Sequence, residues 1–454
     1  MKIETVNASA LTSHARLDSK YFLSEGIKAA EIIARLKSKG VPCVPLGGED
    51  GIARLWQPNR FGKVEASPRE KQAPYLSPYD VFEYLPRATE FVSVKRSKDF
   101  QRCQLKRGML LQSCSGRNLG PAVFVDSYLA RFVIGSDMIR IEIDDDDLRN
   151  YVLAYLQSEI GQQLLTQGKT GSVIDHVSRK HIAKLEIPLL KDKLRARASQ
   201  KMSMAIGLRE EARLTLDAAL SGYEKLLPNT KRRTPEKEGW TINARNLTGR
   251  LDAASYDPLV AKIRKQLTTI GGCTVESVAR VFKPPSRYKR YYVDSAHGKP
   301  ILSGTQLLQA RLINLRYIAP RSFNNPSVYE LRKGWLAYQA DGRAEETLGL
   351  PVMITSERDG WLASDHVGRV VPNGGVDVGW LYLALRSRAA QLQIKSLASG
   401  SVVDSTFPAD MESVILPPPI NTDDNSVQAS WEYFVEAQKA ENEAIEIIET
   451  ALAD

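Results

Sequence analysis

At 454 residues the chain is long enough for two to four domains with cores of their own. Its four cysteines, Cys43, Cys103, Cys114 and Cys273, form no CxxC pair, so the sequence indicates neither a zinc site nor a disulfide framework. Hydrophobic content of 43%, charged content of 25% and a net charge of +9 describe an ordinary soluble protein that can meet an anionic partner.

The N-terminus, Met1-Lys2-Ile3-Glu4-Thr5, carries no charged-then-apolar signal pattern, and no apolar run approaches about 18 residues. A cytoplasmic location is expected. Residues 1–24 read as irregular, and Gly26 to Ser38 as an amphipathic helix carrying Ile27, Ile32, Ile33 and Leu36. Val41 to Leu46 looks like a strand broken by Gly47-Gly48. Between 54 and 131 lie short alternating runs, with Leu110-Leu111-Gln112 and Ala122-Val123-Phe124-Val125 as strands around the polar loop from Ser113 to Gly120. Further strands are expected at Phe132–Ile134 and Met138–Ile141, then one helix from Asp147 to Leu165. A long proline-free stretch follows Pro188, with Ala212, Leu216, Ala219, Tyr223 and Leu226 spaced as a heptad seam. Residues 228–237 form a polar, basic linker.

The same order then returns. Leu259 to Leu267 is helical, Val275 to Phe282 strand-like, and Trp380 to Leu397 is the counterpart of the helix from Asp147. The last helix places Val427, Trp431, Phe434, polar Gln438 and Glu441, then Ile445, Ile448 and Leu452 along one face. Gly171-Ser172-Val173-Ile174-Asp175 matches Gly400-Ser401-Val402-Val403-Asp404, and each glycine stands 17 positions before the proline of Ile187-Pro188 or Leu416-Pro417. Arg16-Leu17-Asp18 with Tyr21 matches Arg250-Leu251-Asp252 with Tyr256, and Gly47-Gly48 matches Gly271-Gly272. Pro74 matches Pro300, Gly116-Arg117 matches Gly342-Arg343, and Ser136-Asp137 matches Ser364-Asp365. So many pairs in register make the chain two copies of one unit. Each copy is expected to be α+β with mostly antiparallel strands, because the links are too short for crossovers.

The two long helices differ in charge. Residues 191–227 carry eight Lys/Arg against five Asp/Glu, and residues 422–454 carry one against nine. Antiparallel packing would set Lys191 to Lys201 against Glu441 to Glu449.

Chemistry is scarce. Gly168-Lys169-Thr170 ends like a phosphate loop, but Gln163 stands where its first glycine belongs. The five histidines make no HExxH, and there is no nucleophile elbow or dinucleotide-type glycine turn. The acidic run Asp144 to Asp147 suits a helix N-terminus better than a metal. Positive charge remains. Arg280 to Lys333 holds eleven Lys/Arg against two Asp/Glu, with Phe282, Tyr288, Tyr291, Tyr292 and Tyr317 interleaved, and Arg54 to Arg131 holds fourteen against seven. Such groups neutralise phosphates, and an arginine fork can read a guanine edge. Arg60, Lys63, Arg107 and Arg117 in the first copy, and Arg287, Tyr288, Lys289, Arg290 and Arg343 in the second, are the residues expected to face DNA.

Two α+β units that open with an Arg-Leu-Asp segment and close with Gly-Ser, Ile-Pro or Leu-Pro and a long helix resemble the specificity subunit of a type I restriction–modification system. Leu110–Gly116, Ser136–Asp137 and Gly171–Asp175, with their counterparts, carry the likeness. It implies two target-recognition domains, 1–190 and 229–420, separated by spacer helices 191–228 and 421–454 that pack as an antiparallel coiled coil. The subunit would be non-catalytic and would read a split, double-stranded DNA target. It would dock methyltransferase subunits, two of them in the expected assembly, which bring S-adenosylmethionine; a restriction/translocase subunit can join. Catalytic, cofactor and metal residues are then none in this chain. The second copy departs at Asp341-Gly342-Arg343-Ala344, which replaces Ser115-Gly116-Arg117-Asn118. Two other readings stay open: a divergent DNA-modifying or DNA-cleaving enzyme acting by itself, and a duplicated scaffold without a DNA role.

Overall fold

The computed structural model describes residue 5 and residues 19–116, 119–170, 175–229, 239–247, 249–285, 288–323, 325–400, 402–419 and 425–453. It divides into two compact units, Met1–Glu211 with Glu436–Asp454, and Ala212–Val435.

The first unit begins with helix α1 (Gly26–Ser38), which buries Ala29, Ile33 and Leu36 on the face the sequence periodicity marks. Its strands are β1 (Cys43–Pro45), β2 (Arg54–Trp56), β3 (Gln72–Leu76), β4 (Glu90–Ser93), β5 (Leu110–Ser113), β6 (Ser115–Gly116), β7 (Val123–Phe124), β8 (Val133–Ile134) and β9 (Met138–Glu142). Where one helix was expected after Asp147 there are two, α2 (Asp146–Gln157) and α3 (Glu159–Gln167). Ser158 leaves the helical region and its side chain accepts from the Gly161 amide, so it caps the second helix and ends the first. Asp145 caps α2 through the Leu148 amide at 2.7 Å, which accounts for the acidic run. Strands β10 (Asp175–His176) and β11 (Glu186–Pro188) complete the sheets, and helix α4 (Asp192–Lys225) follows. The largest sheet has the order β2-β9-β5-β7, a second has β4-β3-β8, and β1 with β11 and β6 with β10 form two-stranded ladders.

The second unit repeats this plan. It contains α5 (Pro258–Thr269), β12 (Cys273–Thr274), β13 (Ala279–Phe282), β14 (Tyr292–Val293), β15 (Lys299–Leu302), β16 (Arg316–Ile318), β17 (Leu336–Gln339), β18 (Asp341–Gly342), β19 (Pro351–Met353), β20 (Leu362–Ala363) and β21 (Val367–Pro372). Helices α6 (Val378–Arg386) and α7 (Arg388–Leu397) are again split by a serine, Ser387, which caps α7 through the Ala390 amide. Then come β22 (Asp404–Ser405), β23 (Ile415–Leu416) and helix α8 (Asn425–Ala453). The sheets are β13-β21-β17-β19, β14-β16-β15-β20, β12-β23 and β18-β22. Among the described residues pairing is antiparallel except for β3 with β8 and β15 with β20, which are parallel. In each, more than fifty residues separate the partners, room enough for a crossover. The strand expected from Val275 is interrupted by a helical turn over Val275–Val278 before β13.

Ladder registers define which positions correspond. Leu110 faces Ile141 as Leu336 faces Val370, so β5 maps onto β17 with an offset of 226 and β9 onto β21 with 229. Asp137 therefore corresponds to His366, and the Ser136-Asp137 match to Ser364-Asp365 is displaced by one residue. Gly47-Gly48 is also not the counterpart of Gly271-Gly272. Gly271 (φ 85°) ends α5 as Gly40 (φ 83°) ends α1, each in the left-handed conformation that closes a helix.

In the first unit, Ala198, Met202, Ala205 and Ile206 of α4 share one core with Ala440, Ala444, Ile448 and Leu452 of α8. Lys201 pairs with Glu443, and Arg209 with Glu441, so the segments run antiparallel. Glu449 instead accepts from the Glu159 amide at the start of α3. In the second unit Ala212, Leu216 and Tyr223 are fully buried, as are nearly all of Val427, Trp431 and Phe434. The expected seam is wrong at its end: Leu226 is 54% exposed, and Leu227 is buried in its place. Among the described residues no helix is long and apolar enough to cross a membrane.

Candidate nucleic-acid interface

Two repeated motifs about sixty residues apart in each copy are neighbours in space. Gly116 pairs with Asp175 and Ser115 with His176; in the second unit Gly342 pairs with Asp404 and Asp341 with Ser405. Gly116 has φ 143°, and a Cβ there would stand 2.4 Å from the Tyr79 hydroxyl, so glycine is required for this approach. Asp175 pairs with Lys169 at 3.5 Å, whereas Asp404 accepts from the Ala344 amide at 2.9 Å. Gly171 to Ile174 and Ser401 lie outside the described residues.

Beside each ladder runs a loop pinned from below by a fully buried arginine. Arg140 donates to the carbonyls of Ile134 (2.7 Å), Gly135 (2.9 Å) and Met138 (2.5 Å). Arg369 donates to the equivalent carbonyls of Ala363 (2.9 Å), Ser364 (3.3 Å) and Val367, and to Tyr329 (2.7 Å). Burial pulls both guanidinium groups down to about 10, still charged at neutral pH. Arg140 stands in an apolar strand, Met-Ile-Arg-Ile-Glu, that sequence reading treats as ordinary. The available signal is its recurrence as Arg369.

Three equivalent positions form the lip above the clamp. In the first unit they are Gln57, Ser115 and Asp137. The Gln57 amide donates to the Ser136 carbonyl and lies 3.3 Å from the Cys114 sulfur, and Asp137 is exposed. In the second they are Lys283, Asp341 and His366. The Lys283 Nζ donates to both Asp341 oxygens at 2.8 and 3.0 Å, and His366 Nδ1 lies 2.7 Å from Asp341 Oδ2. Burial pushes the Asp341 carboxyl up, but Lys283, Ser405 and His366 outweigh it and hold it below its ordinary value. Arg290 meets Asp365 at 2.8 Å beside this group.

The expected DNA-facing residues separate into classes. Arg60, Lys63, Lys289, Arg290 and Arg343 are exposed. Lys63 pairs with Glu90 and lies 4.8 Å above the Tyr75 ring; Lys289 and Arg321 each stand 5.0 Å from the Tyr291 ring. Arg343 is loosely engaged, its side chain 72% exposed and 3.9 Å from Glu346. Arg107 forms a two-pronged pair with Glu210 of α4 at 2.9 and 3.0 Å, which commits its fork to the helix. Tyr288 is half-buried and packs against Phe323 and Tyr329 at ring distances of 4.7 and 4.8 Å. Arg117 and Arg287 lie outside the described residues, as do Arg16 to Asp18. Their described counterpart Arg250 caps α7, donating to the carbonyls of Leu397 and Ala398 at 2.5 and 3.1 Å.

No protein-family model matches the chain, and no curated protein does. Among solved structures the chain is similar to the S subunit of a type I restriction–modification system from M. genitalium. That match has 12% identity and a TM-score of 0.30, and covers 90% of this chain and 98% of that one. It is similar to the HsdS subunit from Thermoanaerobacter tengcongensis at 12% identity and TM-score 0.27, over 90% of this chain and 99% of that one. A third similarity, at 12% identity and TM-score 0.31, is to the type IIG restriction endonuclease BpuSI, over 44% of this chain and 30% of that one.

Proposed function

We propose that this chain is the DNA-specificity component of a methylation-based restriction complex. Each unit reads one half of a split double-stranded target. Methyltransferase subunits carrying S-adenosylmethionine dock on the chain, and a restriction/translocase subunit can join them. The observation that carries this reading is the duplicated mount: the same ladder and the same buried arginine recur in both units, while the side chains at the lip differ. Two like scaffolds with unlike lips suit two unlike half-sites. Exposed cations such as Arg60 and Arg343 would supply the phosphate attraction that every sequence shares.

The test has two parts. Duplex binding by the full chain should weaken by orders of magnitude between about 50 and 200 mM salt, as several phosphate contacts require. Methylome sequencing of cells expressing the complete system should show a target of two unlike parts separated by unread bases. Absence of DNA binding at low salt, or one short continuous target, would overturn the proposal.

A further inference from the structure

We propose that Asp137 and His366 are equivalent base-reading residues, each presenting a hydrogen-bond acceptor to an exocyclic amino group in the major groove. The inference rests on the DNA-specificity reading and deepens it.

Equivalence comes from the backbone. The Cys114 amide donates to the Asp137 carbonyl at 3.0 Å, and the Ala340 amide to the His366 carbonyl at 2.9 Å, immediately before the paired ladders. Both residues sit inside the loop that the buried arginine grips on either side. A reading side chain needs such a mount, because looseness of even about 1 Å forfeits the discrimination of a hydrogen bond. Both are also available. Asp137 is exposed and its carboxylate has no partner among the described residues, while the His366 side chain is 55% exposed.

Polarity follows from the neighbours. A carboxylate only accepts, so Asp137 is an acceptor. His366 Nδ1 faces Asp341, which Lys283 and Ser405 also hold as an acceptor, so Nδ1 carries the proton. In the neutral ring Nε2 is then the acceptor, pointing away from that pair and 4.0 Å from Asp365. Asp365 itself is held by Arg290. Two unlike side chains thus offer the same polarity at one position. In the major groove only adenine N6 and cytosine N4 donate; guanine N7 and O6 and thymine O4 accept, and would oppose Asp137 or His366. A carboxylate suits cytosine N4 in particular.

Selection of bound duplexes from a random double-stranded library by the full chain, with sequencing, tests this. The natural chain should enrich two half-sites, each with a position restricted to adenine or cytosine on one strand. Asp137→Ala should relax that position in one half only, and His366→Ala in the other only, each losing roughly tenfold to a hundredfold discrimination. Asp137→Asn adds a donor beside the acceptor and should move its position toward adenine, a change that partial unfolding does not produce. If the natural chain enriches two half-sites and the variants leave both unchanged, or if the affected position admits adenine together with guanine or thymine on the same strand, the assignment is wrong while the specificity reading stands. If the natural chain enriches nothing, the reading beneath it fails and the assignment fails with it.

Discussion

Replacing Glu441 by Gln should unsettle the first unit more than its place in the sequence suggests. Glu441 stands among apolar neighbours on α8, fully buried, and meets Arg209 of α4 through two hydrogen bonds of 3.2 and 3.1 Å. The Arg209 side chain is only 16% exposed. Burial would pull the guanidinium down, but the Glu441 carboxylate outweighs this and holds it above its ordinary value. Removing one partner leaves a charge in a poorly solvated place, at a cost of about 3–5 kcal/mol. In a unit of roughly 200 residues that is about 6–20 °C in the melting temperature, at about 2–4 °C per kcal/mol. Differential scanning calorimetry of the full chain should show the transition of the first unit fall for Glu441→Gln and for Arg209→Met. The double variant should cost at least about 1 kcal/mol less than the sum of the two. Additive effects, or single shifts below about 2 °C, would show that the pair does not set the register of these segments.

Arg107→Ala should act through Glu210, whose carboxyl is held at about 2, chiefly by that guanidinium. A carboxyl depressed in the folded state stabilises above its unfolded value and loses that contribution as pH falls from about 4.5 to about 2; because Arg107 is 57% exposed, screening limits it to about 1 kcal/mol. Urea midpoints of the two proteins should therefore differ at pH 7 and converge toward pH 2, and a constant gap would refute the linkage. Ile448→Ala removes a fully buried side chain from the first unit's core and should cost about 2–5 kcal/mol there, with the transition of the second unit unmoved; a shift of both transitions together would contradict the division at Val435.

The duplication was legible because glycines, prolines and caps keep their letters wherever the backbone repeats. Gly116 and Gly342, or Pro188 and Pro417, mark turns and strand ends that few other residues can occupy. Finer register was not legible, since a chance identity can outbid a structural equivalence. Ser-Asp occurs in both copies, yet the register makes Asp137 equivalent to a histidine, because the second copy is three residues longer between Gly342 and Val352 than the first between Gly116 and Val123. The breaks at Ser158 and Ser387 escaped for another reason: apolar spacing continues through them, and only the hydroxyl's bond to the next helix shows where one ends. Arg107 and Tyr288 show what residue type leaves unsaid. Charge and aromaticity in sequence say nothing about whether Glu210 or an aromatic cluster has already claimed the side chain.

The clamp explains how one scaffold can carry two lips. Arg140 and Arg369 could each have been held by a carboxylate, but they bind main-chain carbonyls instead. A carbonyl is the same whatever side chain its residue bears, so the grip on residues 134–138 and 363–367 is indifferent to what those residues display. The guanidinium remains charged because its desolvation lowers it only to about 10. Charge-assisted bonds to carbonyls then hold the loop more firmly than neutral ones would. Side chains at the lip can change from Ser and Asp to Asp and His without loosening the mount. The Gln57 position can change to Lys283 as well, provided each lip satisfies its own hydrogen bonds. Invariance is placed in the backbone and its arginine, and variation in what the solvent meets.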